Sequence, residues 1–497
     1  MNNPMPPNIV LIVIDALRAC NLGCYGGNET SSPHIDGLAA QGIQFEHCFA
    51  CWNTTDQSLT SIFSGKYPRT HGIMHHGDKV TAADWEKFQQ LNTILLAEIL
   101  KQNGYASGAV DWMGRWFKRG FDEYGYSWPR GLSGRLFYVL WTLPYVHLRY
   151  MAANIGYLRL YAKRHKRKVG SLWKGLKDVL STFRFTFELA RVQDAGFVTR
   201  LAEKRIARLK NGPFFLFLHY WDTHTPYNCP RKFLPARRPY RGLEQALVAK
   251  YEGAVRYVDE QIGRLRDLLD LHGLLDDTLI IITSDHGESL TEHDIFFDHH
   301  GLYDVTAHVP LILFNPKLFP SPCKIDSLIQ HVDLVPSLCD LLDIDPHAFA
   351  FDGRSFMPLL QIKGLPKLSR EHARREFIFA EESYVQRKIA VRNSHHKFIF
   401  APDGTGLCNY CLKVHGGVEE LYDLEADPEE TENLAARHPV KAGELKGVAE
   451  AFIRSLEGKI STTLNKSGGK SPGALSKPDE KEQKKIRRKL KSMGYID

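Results

Sequence analysis

Residues 280–308 read IIITSDHGESLTEHDIFFDHHGLYDVTAH. The stretch is entered through Thr278, Leu279, Ile280, Ile281 and Ile282, a mostly β-branched run long enough for a fully buried central strand and too short for a helix. It stops at once in Thr283–Ser284–Asp285–His286–Gly287. An apolar strand that delivers Asp, His and a turn glycine at its carboxyl end puts an oxygen and a nitrogen donor where open α/β sheets place their active sites. Four more histidines follow: His293, His299, His300 and His308. A single Asp–His pair at a strand end reads as a polar surface loop, but this chain repeats the delivery. Asn8–Ile14 is an apolar run that enters Asp15 directly, and Pro213–His219 is another that leads to Asp222 and His224. Acid-tipped strands far apart in sequence predict one cation site assembled from Asp15, Asp285 and His286.

At 497 residues the chain exceeds one ordinary domain of roughly 100–200 residues. The expected organisation is a large α/β domain over residues 1–370, a smaller C-terminal α+β unit over 371–464, a flexible Ser/Gly/Lys-rich linker over 465–481 and a basic helix over 482–497. Hydrophobic residues at 43% and charged residues at 24% fit a soluble globular protein. Nine scattered cysteines do not resemble a disulfide framework. The opening residues MNNPMPPN show neither the basic nor the apolar region of an export signal, so the cytoplasm is the expected location. Cys408–Asn–Tyr–Cys411 with His415 lacks the four coherently spaced ligands of a structural zinc site and reads as free thiols in a loop. A net charge of +7 without an aromatic–basic repeat argues against nucleic acid as a partner.

Along the chain, Ser31–Gln41 reads as a short capped helix and Phe45–Ala50 as a strand. Thr54, Thr55, Asp56 and Ser58 mark a helix start whose free N–H groups and dipole attract an anion. Leu91–Leu100 has helical periodicity, Gly104–Val110 is the next strand, and Ala246–Leu269 is a long amphipathic helix. Val309–Phe314 is a further buried strand, and His331–Leu342 is the last helix of the large domain. Short strands such as Phe377–Ala380 and Lys397–Phe400 follow. Residues 131–193 form an insertion of different character, with apolar Leu136–Tyr145 and basic Lys163–Lys168. None of its apolar stretches reaches the roughly 18–20 residues of a spanning helix. Two roles fit it equally: peripheral contact with an anionic membrane, which would be the inner face for a cytoplasmic protein, and a cap over the active site.

Asp15–Ala–Leu–Arg18 with Leu22–Gly–Cys–Tyr–Gly26, the Thr55–Gly65 segment with Tyr67–Pro68 and His71–Gly72, and Ser284–Asp–His–Gly–Glu288 together resemble the sulfatase family of the alkaline phosphatase superfamily. Phe217–Tyr227, Asp352–Gly–Arg–Ser355, Glu420–Leu424, Asp427–Pro428, Asn433–Leu434 and Leu490–Tyr495 look like later landmarks of that family, so the resemblance spans nearly the whole chain in order. It implies an alkaline-phosphatase-like central sheet, mostly parallel and flanked by helices. It also implies that Asp15, Asp285 and His286, with the Thr55 oxygen, hold one divalent cation. Two carboxylates and one imidazole suit calcium, magnesium, manganese or zinc alike. Lys66, His71, His224 and His300 would surround the anion, His300 standing where many relatives keep a Lys. Relatives with two zinc ions use Asp and His four apart; here the position four after Asp222 is Pro226, which argues against a second ion in that place.

The departures from the family pattern are as informative. Ala16 stands where many relatives keep a second acidic ligand. Ten residues before Gly65 the formylglycine-forming Cys or Ser is replaced by Thr55, with Gln57 for Pro and Leu59 for Arg. Cys51 lies four residues too early to serve. Asp111–Trp–Met–Gly–Arg–Trp–Phe117 replaces the Gly–Lys–Trp–His element. The expectation is a metal-dependent hydrolase of a sulfate or phosphate ester with Thr55 as an unmodified nucleophile, acting on a small-molecule or a glycan- or lipid-linked ester. Thr-bearing relatives include phosphodiesterases and headgroup transferases of the phosphoglycerol or phosphoethanolamine type, the second reading. The third is a catalytically silent binding protein on the same fold.

Overall fold

A computed structural model describes residues 6–125, 194–225, 227–235, 243–360, 373–408 and 413–466. The 131–193 insertion with its expected membrane contact, Cys411 and the 482–497 helix lie outside the described residues.

Eight strands form the main sheet: β1 (Asn8–Ile14), β2 (Ile43–Phe49), β3 (Ala106–Val110), β4 (Glu123–Tyr124), β5 (Phe214–Tyr220), β6 (Thr278–Thr283), β7 (His308–Phe314) and β8 (Cys323–Gln330), in the order β4-β3-β5-β1-β6-β7-β2-β8. Only β7 runs antiparallel to its neighbours. The alternation of a strand sends Ile9, Leu11 and Val13 of β1 to one face and Val10, Ile12 and Ile14 to the other. Both sets are fully buried because helices cover both faces, which is why the central strands read as continuous apolar runs. The helices Thr55–Ser64, Leu96–Gln102 and Leu334–Leu341 pack on the first face, and Ala195–Leu209 with Leu243–Leu271 on the second. The fold is the expected mostly parallel α/β sheet of alkaline-phosphatase type.

Two predicted helices are shorter than their periodicity suggests. Asn92 adopts a left-handed φ of 47°, which separates a helix at Ala82–Gln90 from one that starts only at Leu96. His331–Asp333 is a 3-10 turn, with the α-helix proper at Leu334–Leu341. At the other end of the chain, Asn465 and Lys466 continue the helix Pro439–Lys466, so the expected linker does not begin at 465.

β9 (Ile378–Glu382), β10 (Lys388–Arg392), β11 (His396–Phe400) and β12 (Glu419–Asp423) make a small antiparallel sheet, ordered β12-β11-β10-β9. The Pro439–Lys466 helix covers one face through Ala442, Leu445 and Ala449. Ala390, Ile399 and Tyr422 on the other face pack against Ile295, Leu302 and Tyr303 of the loop after β6. Buried lysines in this sheet are all paired, Lys388 with Glu420 at 2.6 Å and Lys397 with Asp304 and Glu430 at 2.6 Å each, as buried charges require.

The Asp352–Gly–Arg–Ser355 motif locks the far end of the Thr55–Ser64 helix. Gly65 closes that helix in the left-handed region, and its carbonyl accepts from Asp352 N (2.9 Å) and Gly353 N (3.1 Å). A Cβ on Gly353 would collide with the Val332 carbonyl. Gly353→Ala should therefore lower stability by about 1–3 kcal/mol, the usual cost of forcing atoms into a packed core, seen as a lower urea midpoint at unchanged slope; an unchanged midpoint would show that this contact relaxes freely.

Candidate active site

β1 pairs in parallel with β5 and β6 so that Val13 lies opposite both His219 and Thr283. Three strand ends therefore leave the sheet side by side and deliver Asp15, Asp222 and Asp285 to one edge. Asp15, Asp285 and His286 are completely buried, and one donor atom from each lies within 4.8 Å of the others. Asp15 Oδ1 and Asp285 Oδ2 have no hydrogen-bond partner. Buried carboxylate oxygens left unpaired are costly, and a hard cation bound between them satisfies both; the residues fit a divalent ion.

Local geometry fixes each donor. Ala16 adopts φ 57°, a conformation an L-residue rarely takes, and from it donates its N–H to Asp285 Oδ1 at 3.2 Å. The Tyr251 hydroxyl donates to the Ala16 carbonyl at 2.8 Å and holds that turn. His286 Nδ1 faces the Gly287 carbonyl at 2.8 Å, so the proton belongs on Nδ1 and the Nε2 lone pair points inward. Burial pushes this imidazole down to about 3, which keeps it neutral. The same burial, with Asp285 and Glu288 close by, raises the Asp15 carboxyl well above its usual range. Glu288 itself is pushed up to about 8 by burial, although the hydroxyls of Thr225 and Tyr227 donate to it at 2.7 Å each.

Thr55 opens the Thr55–Ser64 helix, and all ten residues of that helix are buried. Its Oγ1 lies 3.3 Å from Asp15 Oδ2 and 3.4 Å from His286 Nε2. A hydroxyl is thereby held at the carboxylate–imidazole group and at a helix N-terminus with its unsatisfied N–H groups. Leu59, where the family resemblance puts an Arg, is fully buried in the apolar core. Cys51 sits in a separate apolar cluster with Tyr67, Val332 and Leu456.

The structure brings Asp15, Thr55, Asp285, His286 and His224 together but moves three of the residues expected around the anion. Lys66 follows the C-terminus of a ten-residue helix, roughly 15 Å from Thr55 at 1.5 Å per residue, and its ammonium reaches the Leu91 carbonyl at 3.5 Å. His71 spans Ser61 Oγ (3.3 Å) and the Ile73 N–H (3.1 Å), and so braces the flank of the helix. The His300 ring turns towards His415, 4.8 Å between centroids. Its neighbour His299 takes the place at the site: the ring lies 4.5 Å from His286 and 6.1 Å from His224, with Nδ1 2.6 Å from the Asn53 carbonyl. Asp222 accepts the Ala195 N–H at 3.1 Å, at the start of the Ala195–Leu209 helix that Asp194 caps.

Three further residues complete the surroundings of the site. His76, whose ring lies 6.4 Å from His299, pairs with Asp56 at 3.1 Å. Arg115, from the segment that replaces Gly–Lys–Trp–His, donates to both Asp56 oxygens at 2.9 Å. His219 points Nε2 at Asp15 Oδ2 (3.7 Å) while Asp111 holds its Nδ1 at 2.9 Å. Ion-pair partners carry no periodicity, and a histidine inside an apolar strand reads as core, so only the His-rich spacing after β6 offered a signal.

Acids at the carboxyl edge of a mostly parallel α/β sheet thus face a hydroxyl on a helix N-terminus. The sulfatase family profile matches residues 7–344, and a profile described as N-sulphoglucosamine sulphohydrolase, C-terminal, matches residues 291–446. The chain belongs to the sulfatase family, and with it to the sulfuric-ester hydrolases. It is similar to the N-acetylgalactosamine-6-O-sulfatase of Bacteroides thetaiotaomicron, 25% identical over 505 residues that cover 90% of this chain and 93% of that protein. A solved structure in complex with its substrate D-glucosamine-2-N,6-O-disulfate shares the fold at a TM-score of 0.61 and 19% identity, covering 91% and 98% of the two chains. The phosphonate monoester hydrolase of Agrobacterium radiobacter does so at 0.61 and 19%, covering 91% and 96%.

Two outcomes test the site. Asp285→Asn should reduce both bound divalent metal, measured by plasma mass spectrometry, and turnover; parental values of both would dismiss the ligand set. Asp56 is held down to about 2 by Arg115 and then His76, against the upward push of burial. A depressed carboxyl stabilises the fold above its unfolded pKa and loses that contribution as pH falls through about 2. Arg115→Gln should therefore cost about 3–5 kcal/mol at neutral pH, as breaking one side of a buried pair does, in a urea titration at pH 7.

Proposed function

We propose that this protein is a metal-assisted hydrolase that uses the unmodified Thr55 hydroxyl as its nucleophile and turns over phosphate esters and diesters in preference to sulfate esters. The observation that carries the reading is the placement of Thr55 Oγ1 between Asp15 Oδ2 at 3.3 Å and His286 Nε2 at 3.4 Å. A divalent ion held by Asp15, Asp285 and His286 would supply Lewis-acid stabilisation and lower the pKa of a bound hydroxyl.

The residues of the chain account for the remaining steps. Thr55 Oγ1 attacks phosphorus, forming a P–O bond as the bond to the leaving oxygen breaks, and its proton passes to Asp15 Oδ2. The helix N-terminus receives the charge on the non-bridging oxygens. His76, partnered by Asp56, gives a proton to the leaving oxygen. Water then attacks phosphorus as the P–Oγ1 bond breaks; the neutral His76 takes a proton from the water, Asp15 Oδ2 returns its proton to Thr55 Oγ1, and phosphate leaves. An aldehyde hydrate expels sulfate by elimination, whereas a threonine ester needs attack at the central atom, which phosphorus accepts more readily. Leu59 in the core supports the same reading, because no arginine is left there to serve a hydrate. The glycan and sulfate chemistry in the relatives' names is compatible with a glycan- or lipid-linked ester in this site. Replacement of water by an alcohol acceptor would make the same intermediate serve headgroup transfer.

Thr55→Ala should reduce turnover of p-nitrophenyl phosphate or bis-p-nitrophenyl phosphate by roughly 10²-fold or more, as removal of a covalent nucleophile does, with an unchanged unfolding midpoint. Intact-mass spectrometry after trapping with a slow substrate should show one adduct on the peptide containing Thr55. Full activity in the variant, or an adduct elsewhere, would refute the nucleophile; faster turnover of p-nitrophenyl sulfate than of any phosphate ester would refute the preference.

A further inference from the structure

Outside the Thr55 site, a second group of ligating side chains converges. His300 from the loop after β6, Cys408 from the connection between β11 and β12, and His415 just ahead of β12 each offer a donor atom, all within 4.8 Å of one another. All three are buried, at 2%, 0% and 3% exposure. We propose that they bind a zinc-class transition-metal ion that ties the C-terminal sheet to the loop carrying His299.

The surroundings prepare the donors. The Cys408 N–H donates to the Lys413 carbonyl at 2.8 Å, which fixes the backbone that carries the thiol. The His415 carbonyl accepts from Gln386 Nε2 and Lys388 Nζ, each at 3.2 Å. His300 Nδ1 lies 3.3 Å from Asp298 Oδ2, and the Cys408 thiol is within hydrogen-bonding reach of the same ring. A carboxylate behind one ring nitrogen, with the other directed at the metal, is how ligating histidines are oriented. One thiolate and two imidazoles select a borderline-soft ion such as zinc over calcium or magnesium, the opposite of the preference of an oxygen-rich site. On binding, the Cys408 S–H bond gives up its proton to solvent and a sulfur–metal bond forms. Cys408 is a free thiol in this structure, and its spacing to Cys411 and His415 could not bring in His300, more than a hundred residues away.

Cobalt(II) reports directly on thiolate ligation. The full-length protein loaded with cobalt should show a near-ultraviolet thiolate-to-cobalt charge-transfer band. Cys408→Ser and His415→Ala should lose or shift it, and Asp285→Asn should keep it, since the other site contains no sulfur. Absence of the band in the parent, or its persistence in Cys408→Ser, would overturn the proposal. The band does not depend on Thr55 being the nucleophile, so an inactive protein still decides the question.

Discussion

Everything at this site depends on β1 lying between β5 and β6 with all three strands parallel, for only that arrangement sends Asp15 and Asp285 out of the sheet side by side. The placement is unfavourable by itself, because it takes Asp15, Asp285 and Glu288 out of water with like charges adjacent. The apolar strands that carry them, buried on both faces, offset the cost. The left-handed turn at Ala16 is part of the same arrangement: its strained backbone aims an N–H at Asp285 Oδ1, while Asp285 Oδ2 and Asp15 Oδ1 stay without hydrogen-bond partners.

The Thr55–Ser64 helix presents the second constraint. A helix buried along its whole length must satisfy its polar side chains internally, and it does so with Arg115 and His76 on Asp56, the Trp52 carbonyl for Ser58 and His71 for Ser61. This explains why several residues that look reactive in sequence are engaged in bracing. His71 and Arg115 hold the helix that presents Thr55, and their chemistry is consumed in that task.

The rim of the site is shared between the two sheets. Asn53 donates to Glu382 of β9 at 2.6 Å and to the Gly301 carbonyl at 3.0 Å, so the segment preceding Thr55 is tied to the C-terminal sheet and to the histidine loop at once. Tyr384, just beyond β9, lies over His299 with ring centroids 5.5 Å apart. Arg69 adds a two-pronged bond to Glu381, at 2.7 and 2.6 Å. The small sheet is therefore part of the wall of the active site, and its docking fixes where His299 stands.

The sequence by itself determined the sheet, the acids at its carboxyl edge and the hydroxyl at the start of the helix. Each of these is written locally: a β-branched run announces a buried strand, the residue after it has nowhere to go but the sheet edge, and Thr55 is tied to Gly65 by helical register. Which imidazoles join them was decided by tertiary structure alone. His299 and His300 are adjacent and chemically identical, and only the docking of the small sheet turns one ring to His286 and the other to His415. His219 lies in an apolar strand and Lys66 in a glycine-flanked turn; their roles follow from what packs against them, Asp15 in one case and the Leu91 carbonyl in the other. A side chain's partner across hundreds of residues leaves no periodic trace, because it is set by the packing of whole elements and not by the local preferences of the chain.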